Sequence, residues 1–546
     1  MHRSRPTRRA TAVHRPRLTA AGVALGLGLV AAVLPSAQAL AETPPNMLVV
    51  ANRIDDITTL DPAEAFEFAG IDVIGNVYDK LVDFDPMDLE AGFQPSLAAS
   101  WEVSEDGTEI TFTMAEGATF PSGNPVTAED AEFSLRRVVT LNKTPAFILT
   151  QFGFTPDNVE ETIVADGDTL TLTLDQPYAL SFVLNCLGAA VASVVEKAVV
   201  LEHERDGDLG NEWLATNSAG SGPYELVSWK PSESVTLSAN EQWQGEEVAM
   251  KRVIVQHIQE SATQRLLLEN GDVDVARNLN PEDIAGLEGN EDLKVVDELR
   301  GRLMYIAFNQ KHPELSKPKV VEALKYLIDY EGMQDSFLKG QYSIHQTFLP
   351  QTFFGAIDDQ PYSYDPEKAK SLLEEAGVDS VSAEMGVRDA QERIEIAQSL
   401  QNTFGEAGVD IEISIGTGKQ ILTRYRAREL DVYLGEWGPD YPDPQTNAGT
   451  FAYNPDNSDE AQATGLLAYR NAWDPGKLGE MTEAAVLEQD EEARRGMYEE
   501  IQREFLKTAP FAIMFQQTEQ AAQQANVENL TLGAAITSVA YWPVTK

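Results

Sequence analysis

Two hydrophobic periods alternate along this chain. Apolar residues fall at every second position in Glu109-Ile110-Thr111-Phe112-Thr113-Met114, in Thr169-Leu170-Thr171-Leu172-Thr173-Leu174 and in Ser234-Val235-Thr236-Leu237-Ser238, each bounded by Gly, Asp, Pro or Asn. That spacing predicts strands with one buried face. Elsewhere the interval lengthens to three and four. Ala131, Ser134, Leu135 and Val138 share one helical face behind Thr127, whose oxygen is placed to accept a free backbone N–H while Glu129 and Asp130 complement the positive helix end. Asp365-Pro366 opens a second helix with the stripe Ala369, Leu372, Leu373 and Ala376, and Gly377 supplies a left-handed stop. Asp474 to Leu506 reads as mostly helical, with strands again near Phe511 to Phe515. Strands and helices interleave throughout, which predicts a mixed α/β fold.

The opening segment follows neither period. Arg3, Arg5, Arg8, Arg9, Arg15 and Arg17 stand without an acid ahead of an apolar run from Leu18 to Leu34. Small residues then offer cleavage at Ala37-Gln38-Ala39 or Ala39-Leu40-Ala41. This is the pattern of a secretory signal peptide, residues 1–41, cut near 39–41. The run is short for a membrane span of about 20 residues, and Pro35 breaks it. No Cys lies near the cleavage site, so a lipid anchor there is chemically impossible, and a soluble, exported, periplasmic protein is expected.

Charge narrows the function. The 546 residues include 87 Asp and Glu against 41 Lys and Arg, a formal charge of -46, which argues against binding to nucleic acid or anionic lipid. Single cores stop growing at roughly 250 to 300 residues, so two or more domains are expected. The one cysteine, Cys186, permits no intramolecular disulfide and no cysteine-based zinc site, and its apolar surroundings suit a buried, inert thiol.

The signatures of catalysis are missing. There is no His-Glu-x-x-His motif, and His203, His257, His312 and His345 are scattered. Ser221 lies in Gly220-Ser221-Gly222-Pro223, which lacks nucleophile-elbow spacing and reads as a turn. Gly416-Thr417-Gly418-Lys419 fails as a phosphate loop, because Gln420 replaces the magnesium-binding hydroxyl and Ile413 the first Gly. The acid pairs Asp272/Asp274 and Asp206/Asp208 read as solvated turns rather than glycosidase carboxylates. No enzyme, no cofactor and no metal site is expected.

Four separated segments carry a resemblance. The first is Pro95-Ser96-Leu97-Ala98-Ala99-Ser100-Trp101-Glu102, continuing through Asp106-Gly107-Thr108 and Phe120-Pro121-Ser122-Gly123 to Val126-Thr127-Ala128-Glu129-Asp130. The second is Gly220-Ser221-Gly222-Pro223-Tyr224 with Trp229 and Asn240, and the third is Tyr305-Ile306-Ala307-Phe308-Asn309 leading to Val320-Val321-Glu322-Ala323-Leu324. The last is Trp437-Gly438-Pro439-Asp440-Tyr441-Pro442-Asp443-Pro444. In order and spacing they resemble the oligopeptide, dipeptide and nickel-binding family of ABC-transporter solute-binding proteins, extracellular family 5, over nearly the whole exported chain.

The resemblance implies a two-lobed α/β clamp with an additional inserted domain. Its first lobe would comprise 42–75, 190–285 and 511–546, the inserted domain 76–189 and the opposing lobe 286–510. Hinge closure would capture a peptide or peptide-like solute and present it to inner-membrane permease subunits driven by cytoplasmic ATPases, the receptor itself acting as a monomer. The family's amine-binding acid matches Asp440, with Asp443 as the neighbouring alternative and Trp437 and Tyr441 beside it. By the same analogy Phe66 and Phe68 would flank the ligand on one side and Arg302 and Tyr305 on the other, and Arg424 is placed either to meet a ligand carboxylate or to form a surface ion pair. The Arg that oligopeptide-binding members carry shortly before the Trp is absent from Tyr433-Leu434-Gly435. The same scaffold serves nickel chelates, opines and oligosaccharides, so cargo stays open. An exported hydrolase, or a secreted adhesion or folding-helper protein, is the rival from another class.

Overall fold

The computed structural model describes residues 43–85, 88–533 and 539–546, so the expected signal peptide, residues 1–41, lies outside the described residues. The alternating segments form strands Glu109–Met114, Thr169–Thr173 and Ser234–Ala239. The expected helices span Ala128–Leu141 and Pro366–Glu375. Thr127 does cap its helix: its Oγ1 accepts from the Asp130 N–H at 3.3 Å, and the Asp130 carboxylate accepts from the Thr127 N–H at 3.0 Å. Thr417 caps Gly418–Arg426 in the same reciprocal way with Gln420, so the false phosphate loop is a helix start.

An eleven-stranded sheet runs through the molecule. From one edge it passes Tyr224–Lys230, Ser234–Ala239, Arg252–His257, Met47–Asn52 and Val275–Ala276 to two long strands, Phe511–Gln524 and Leu293–Phe308. It continues through Val432–Trp437 and Val381–Arg388 to Val409–Gly416, and Tyr342–Ile344 adds onto Phe511–Gln524. Met47–Asn52 pairs in parallel on both sides and is buried along almost its whole length, which is why it reads as an unbroken apolar run. The two long strands pair antiparallel from one half of the sheet to the other, with register breaks between Leu299 and Leu303 and between Met304 and Tyr305. A bulged ladder bends there, and Arg300 and Arg302 sit in the bend.

A separate four-stranded sheet, Ala98–Val103, Glu109–Met114, Thr169–Thr173 and Ile163–Asp166, packs with the Ala128–Leu141 helix around Phe112, Leu135, Phe152 and Phe182. Tyr441, from the other end of the chain, is part of that same core, with its ring 5.9 Å from Phe182. The second half of the large sheet is buried on both faces, one against Leu324, Leu372 and Leu400, the other against Phe348, Phe451 and Phe505.

Two expectations change. The strand near 511–515 extends to Gln524, because the polar residues Gln516 to Gln520 pair with Leu293–Phe308 although their pattern alone does not read as strand. Asp274 is not a solvated turn acid: it is buried, forms an ion pair with Lys546 at 2.7 Å and accepts the Val49 N–H at 2.7 Å. Asp208 is the turn acid expected, accepting the N–H groups of Arg205 and Gly210.

Candidate functional site

The loop after Val432–Trp437 cannot continue as strand or helix, because Pro439, Pro442 and Pro444 lack a donor N–H. Thr446 holds it instead, its Oγ1 accepting the Asp440 N–H at 2.9 Å. The loop's two acids then diverge. Asp443 is fully buried; Arg494 donates to its two oxygens at 2.9 and 2.7 Å, Asn185 at 3.2 Å and the Gln445 N–H at 2.9 Å. That carboxylate is satisfied within the fold. Asp440 lines a cavity of about 130 Å³ together with Phe66, Phe68, Asp72, Pro145, Ile148 and Trp542. Among the described residues no donor hydrogen-bonds its carboxylate; burial pushes its pKa up to about 7, opposed only by the positive charge of Arg470.

Phe68 and Asp72 also line a wider polar cleft of about 660 Å³. Here Arg302 lies flat on Phe68, its guanidinium carbon 3.5 Å from the ring centroid. Gly438 makes this possible: a Cβ there would stand 3.1 Å from the Phe68 ring and 3.7 Å from Arg302 Cγ. Glu436, next along that strand, accepts from Arg393 at 2.7 Å and lies 3.8 Å from Arg302. At the bend between the sheet halves, Arg277 donates to Asp72 at 2.7 Å and to Glu519 at 2.7 and 3.0 Å, with Arg300 3.4 Å from Glu519. Burial raises the Glu519 pKa, but the Arg277 and Arg300 charges prevail and hold it below the ordinary carboxylate value. The Nε atoms of Arg300, Arg302 and Arg393 are buried without a hydrogen-bond partner among the described residues.

Of the residues expected at a site, Asp440, Phe66, Phe68 and Arg302 are thus brought together. Tyr305 and Tyr441 are not: both are core residues. Tyr305 is enclosed by Tyr433, Phe451 and Phe511, and Tyr441 by Phe182 and its neighbours. Trp437 supports the loop from behind, its indole N–H donating to Asn447 at 3.3 Å. Arg424 forms a two-pronged ion pair with Glu384 at 2.7 and 2.8 Å, away from both cavities, which is the surface-pair alternative. Sequence reasoning missed Arg393, Glu436, Arg277 and Glu519, which are separated along the chain and carry no motif. Ser221 is not the turn residue expected but lies buried in an irregular stretch, where its hydroxyl donates to Asp79 at 2.9 Å and Gly220 and Gly222 press on Val77 and Tyr78, a Cβ at either coming within 2.2 and 2.7 Å of backbone atoms. Cys186 is buried, and burial raises its thiol pKa well above the usual value.

A carboxylate with no hydrogen-bond donor among the described residues thus lies next to a cleft of paired guanidiniums. The chain belongs to the bacterial extracellular solute-binding proteins, family 5, whose middle-region model matches residues 92–459. It is a solute-binding protein of the ABC-transporter class and not an enzyme. It is 28% identical over 503 residues to the "Probable D,D-dipeptide-binding periplasmic protein DdpA" of Escherichia coli (strain K12), covering 91% of this chain and 94% of that one. Its fold matches DppA from Helicobacter pylori in complex with the peptide STSA, at a TM-score of 0.74 and 22% identity, over 91% of this chain and 98% of that one. It also matches NikZ from Campylobacter jejuni in complex with Ni(L-His), at a TM-score of 0.73 and 21% identity, over 92% and 100%. Among the described residues no helix is long and apolar enough to cross a membrane.

Proposed function

We propose that this protein is an exported, periplasmic receptor that captures a peptide or peptide-like solute by its amine and delivers it to an inner-membrane ABC permease. The carrying observation is Asp440: a carboxylate lining a cavity, with no hydrogen-bond donor among the described residues. An ammonium group supplies the missing partner, since a desolvated carboxylate gains most from a charged donor. The polar cleft beyond Phe68 receives the rest of the solute, where Arg302 and Arg393 stand ready for a carboxylate in place of the Arg missing before Trp437. The peptide ligands named for DdpA and for the Helicobacter pylori protein agree with this reading.

In the same proposal the first lobe is 42–75, 190–285 and 511–546, the inserted domain 76–189 and the opposing lobe 286–510, and residues 1–41 direct export. The assignment is supported by the four-stranded sheet, all of whose strands fall within 76–189. The test is native mass spectrometry of the protein purified from its own periplasm, with the bound species released and identified. Di- to oligopeptides with a free amine support the proposal; a uniform species without an amine, such as a sugar, overturns the role of Asp440.

A further inference from the structure

The cavity at Asp440 is small, about 130 Å³. A cavity of about 150 Å³ holds benzene, or about 25 Å³ for each ring carbon, and an ammonium group displaces about one water, roughly 30 Å³. The space beside a bound ammonium therefore accommodates about four carbons, the one that bears the amine and about three more. The walls are not free to yield. Ile148, Ala189 and Val191 belong to the core around the four-stranded sheet, and Phe66 packs against that core with its ring edge-on to Phe147 at 6.0 Å. A close-packed interior resists even one added methylene.

Charge restricts the occupant as well. The described lining includes five charged side chains, Asp72, Lys80, Asp83, Arg300 and Asp440. Lys80 and Asp83 pair with each other at 2.6 Å. Asp72 accepts from Arg277 at 2.7 Å and from the Val539 N–H at 3.2 Å. Arg300 stands 3.4 Å from Glu519 and donates to the Leu532 and Gly533 carbonyls. Asp440 alone has no hydrogen-bond donor among the described residues; the Arg470 charge acts on it, but that guanidinium is outside the lining and donates to the Thr464 carbonyl at 2.7 Å. The cavity thus matches one cation, and a second charge on the occupant would be buried unpaired or would break an existing pair.

Resting on the amine reading of Asp440, we propose that this cavity selects solutes whose amine-bearing residue has a small, uncharged, apolar side chain, of no more than about three carbons.

The test is calorimetric titration of the exported protein with Ala-Ala-Ala, Phe-Ala-Ala, Lys-Ala-Ala, Ala-Ala-Phe and N-acetyl-Ala-Ala-Ala. Phe-Ala-Ala and Lys-Ala-Ala are expected to bind at least about tenfold more weakly than Ala-Ala-Ala, the scale of overfilling a packed pocket. Ala-Ala-Phe, which carries the same ring away from the amine, is expected to show no such loss. Ile148→Ala removes wall carbons and is expected to bring Phe-Ala-Ala within about threefold of Ala-Ala-Ala; should that variant not fold, Phe66→Ala is expected to narrow the same ratio. Phe-Ala-Ala or Lys-Ala-Ala binding as tightly as Ala-Ala-Ala, an equal loss with Ala-Ala-Phe, or a loss with Phe-Ala-Ala that persists unchanged in the folded variant overturns the selection and leaves the amine reading intact. N-acetyl-Ala-Ala-Ala binding as tightly as Ala-Ala-Ala, or no binding by any of the five, overturns both.

Discussion

At the scale of single residues, the two acids of one short loop are set apart by their partners. Asp440 keeps a raised pKa because burial outweighs the one opposing influence, the positive charge of Arg470. Amine binding needs its ionised form, so affinity for an amine-bearing ligand is expected to fall as pH drops below about 7, by up to about tenfold per pH unit. Calorimetry between pH 8 and 5.5 should show this in the wild type, and Asp440→Asn should bind weakly at every pH. The same shift has a stability consequence of definite sign. The folded, empty protein holds a proton on Asp440 in the window between the ordinary value of 3.8 and about 7, where the unfolded chain has released it. Stability from this group is therefore present at low pH and lost as pH rises through about 7. Asp440→Asn is expected to raise the melting temperature relative to wild type at pH 8, with the gap closing toward pH 4. A gap that does not change with pH would remove the titration of Asp440 as its cause.

At the scale of elements, Arg494 ties four pieces together. From the helix Glu491–Thr508 it reaches Asp443 in the loop, the Ala485 carbonyl at the end of Lys477–Ala485 and the Ser181 hydroxyl on Leu180–Leu187. Removing one member of a buried pair leaves the other charge unpaired, at about 3–5 kcal/mol. Asp443→Ala is therefore expected to lower unfolding free energy by that amount in urea denaturation, whereas Asp440→Ala should spare stability and weaken binding of an amine-bearing peptide severalfold or more. Should the Asp443 variant match wild-type stability and lose binding instead, the two acids have been assigned the wrong way round.

At the scale of the whole molecule, the loop that carries Asp440 is also a clasp. Tyr441 inserts into the core built around the four-stranded sheet, and Asp443 accepts from Asn185 of the same region. The loop is thereby locked to the region around the four-stranded sheet, and the two long strands with their bend at Arg300 and Arg302 form a continuous connection between the sheet halves. Truncating a buried aromatic costs about 3–5 kcal/mol. Tyr441→Ala is expected to loosen this clasp, increasing the radius of gyration of the unliganded protein in small-angle X-ray scattering and weakening capture. An unchanged radius with only a lower melting temperature would make Tyr441 a packing residue and nothing more.

The sequence by itself determined what depends on neighbours a few positions away: the alternating strands, the Thr127 and Asp365 caps, the left-handed stop at Gly377 and the Pro-rich loop. It also carried the order of motifs that marks the family. The tertiary structure decided the rest, because those outcomes depend on which distant groups meet. Asp443 is held by Arg494, 51 positions away, and by Asn185, 258 positions away. Tyr305 and Tyr441 are core residues because rings from other elements close over them, and Gln516 to Gln520 are strand because Leu293–Phe308 supplies their ladder.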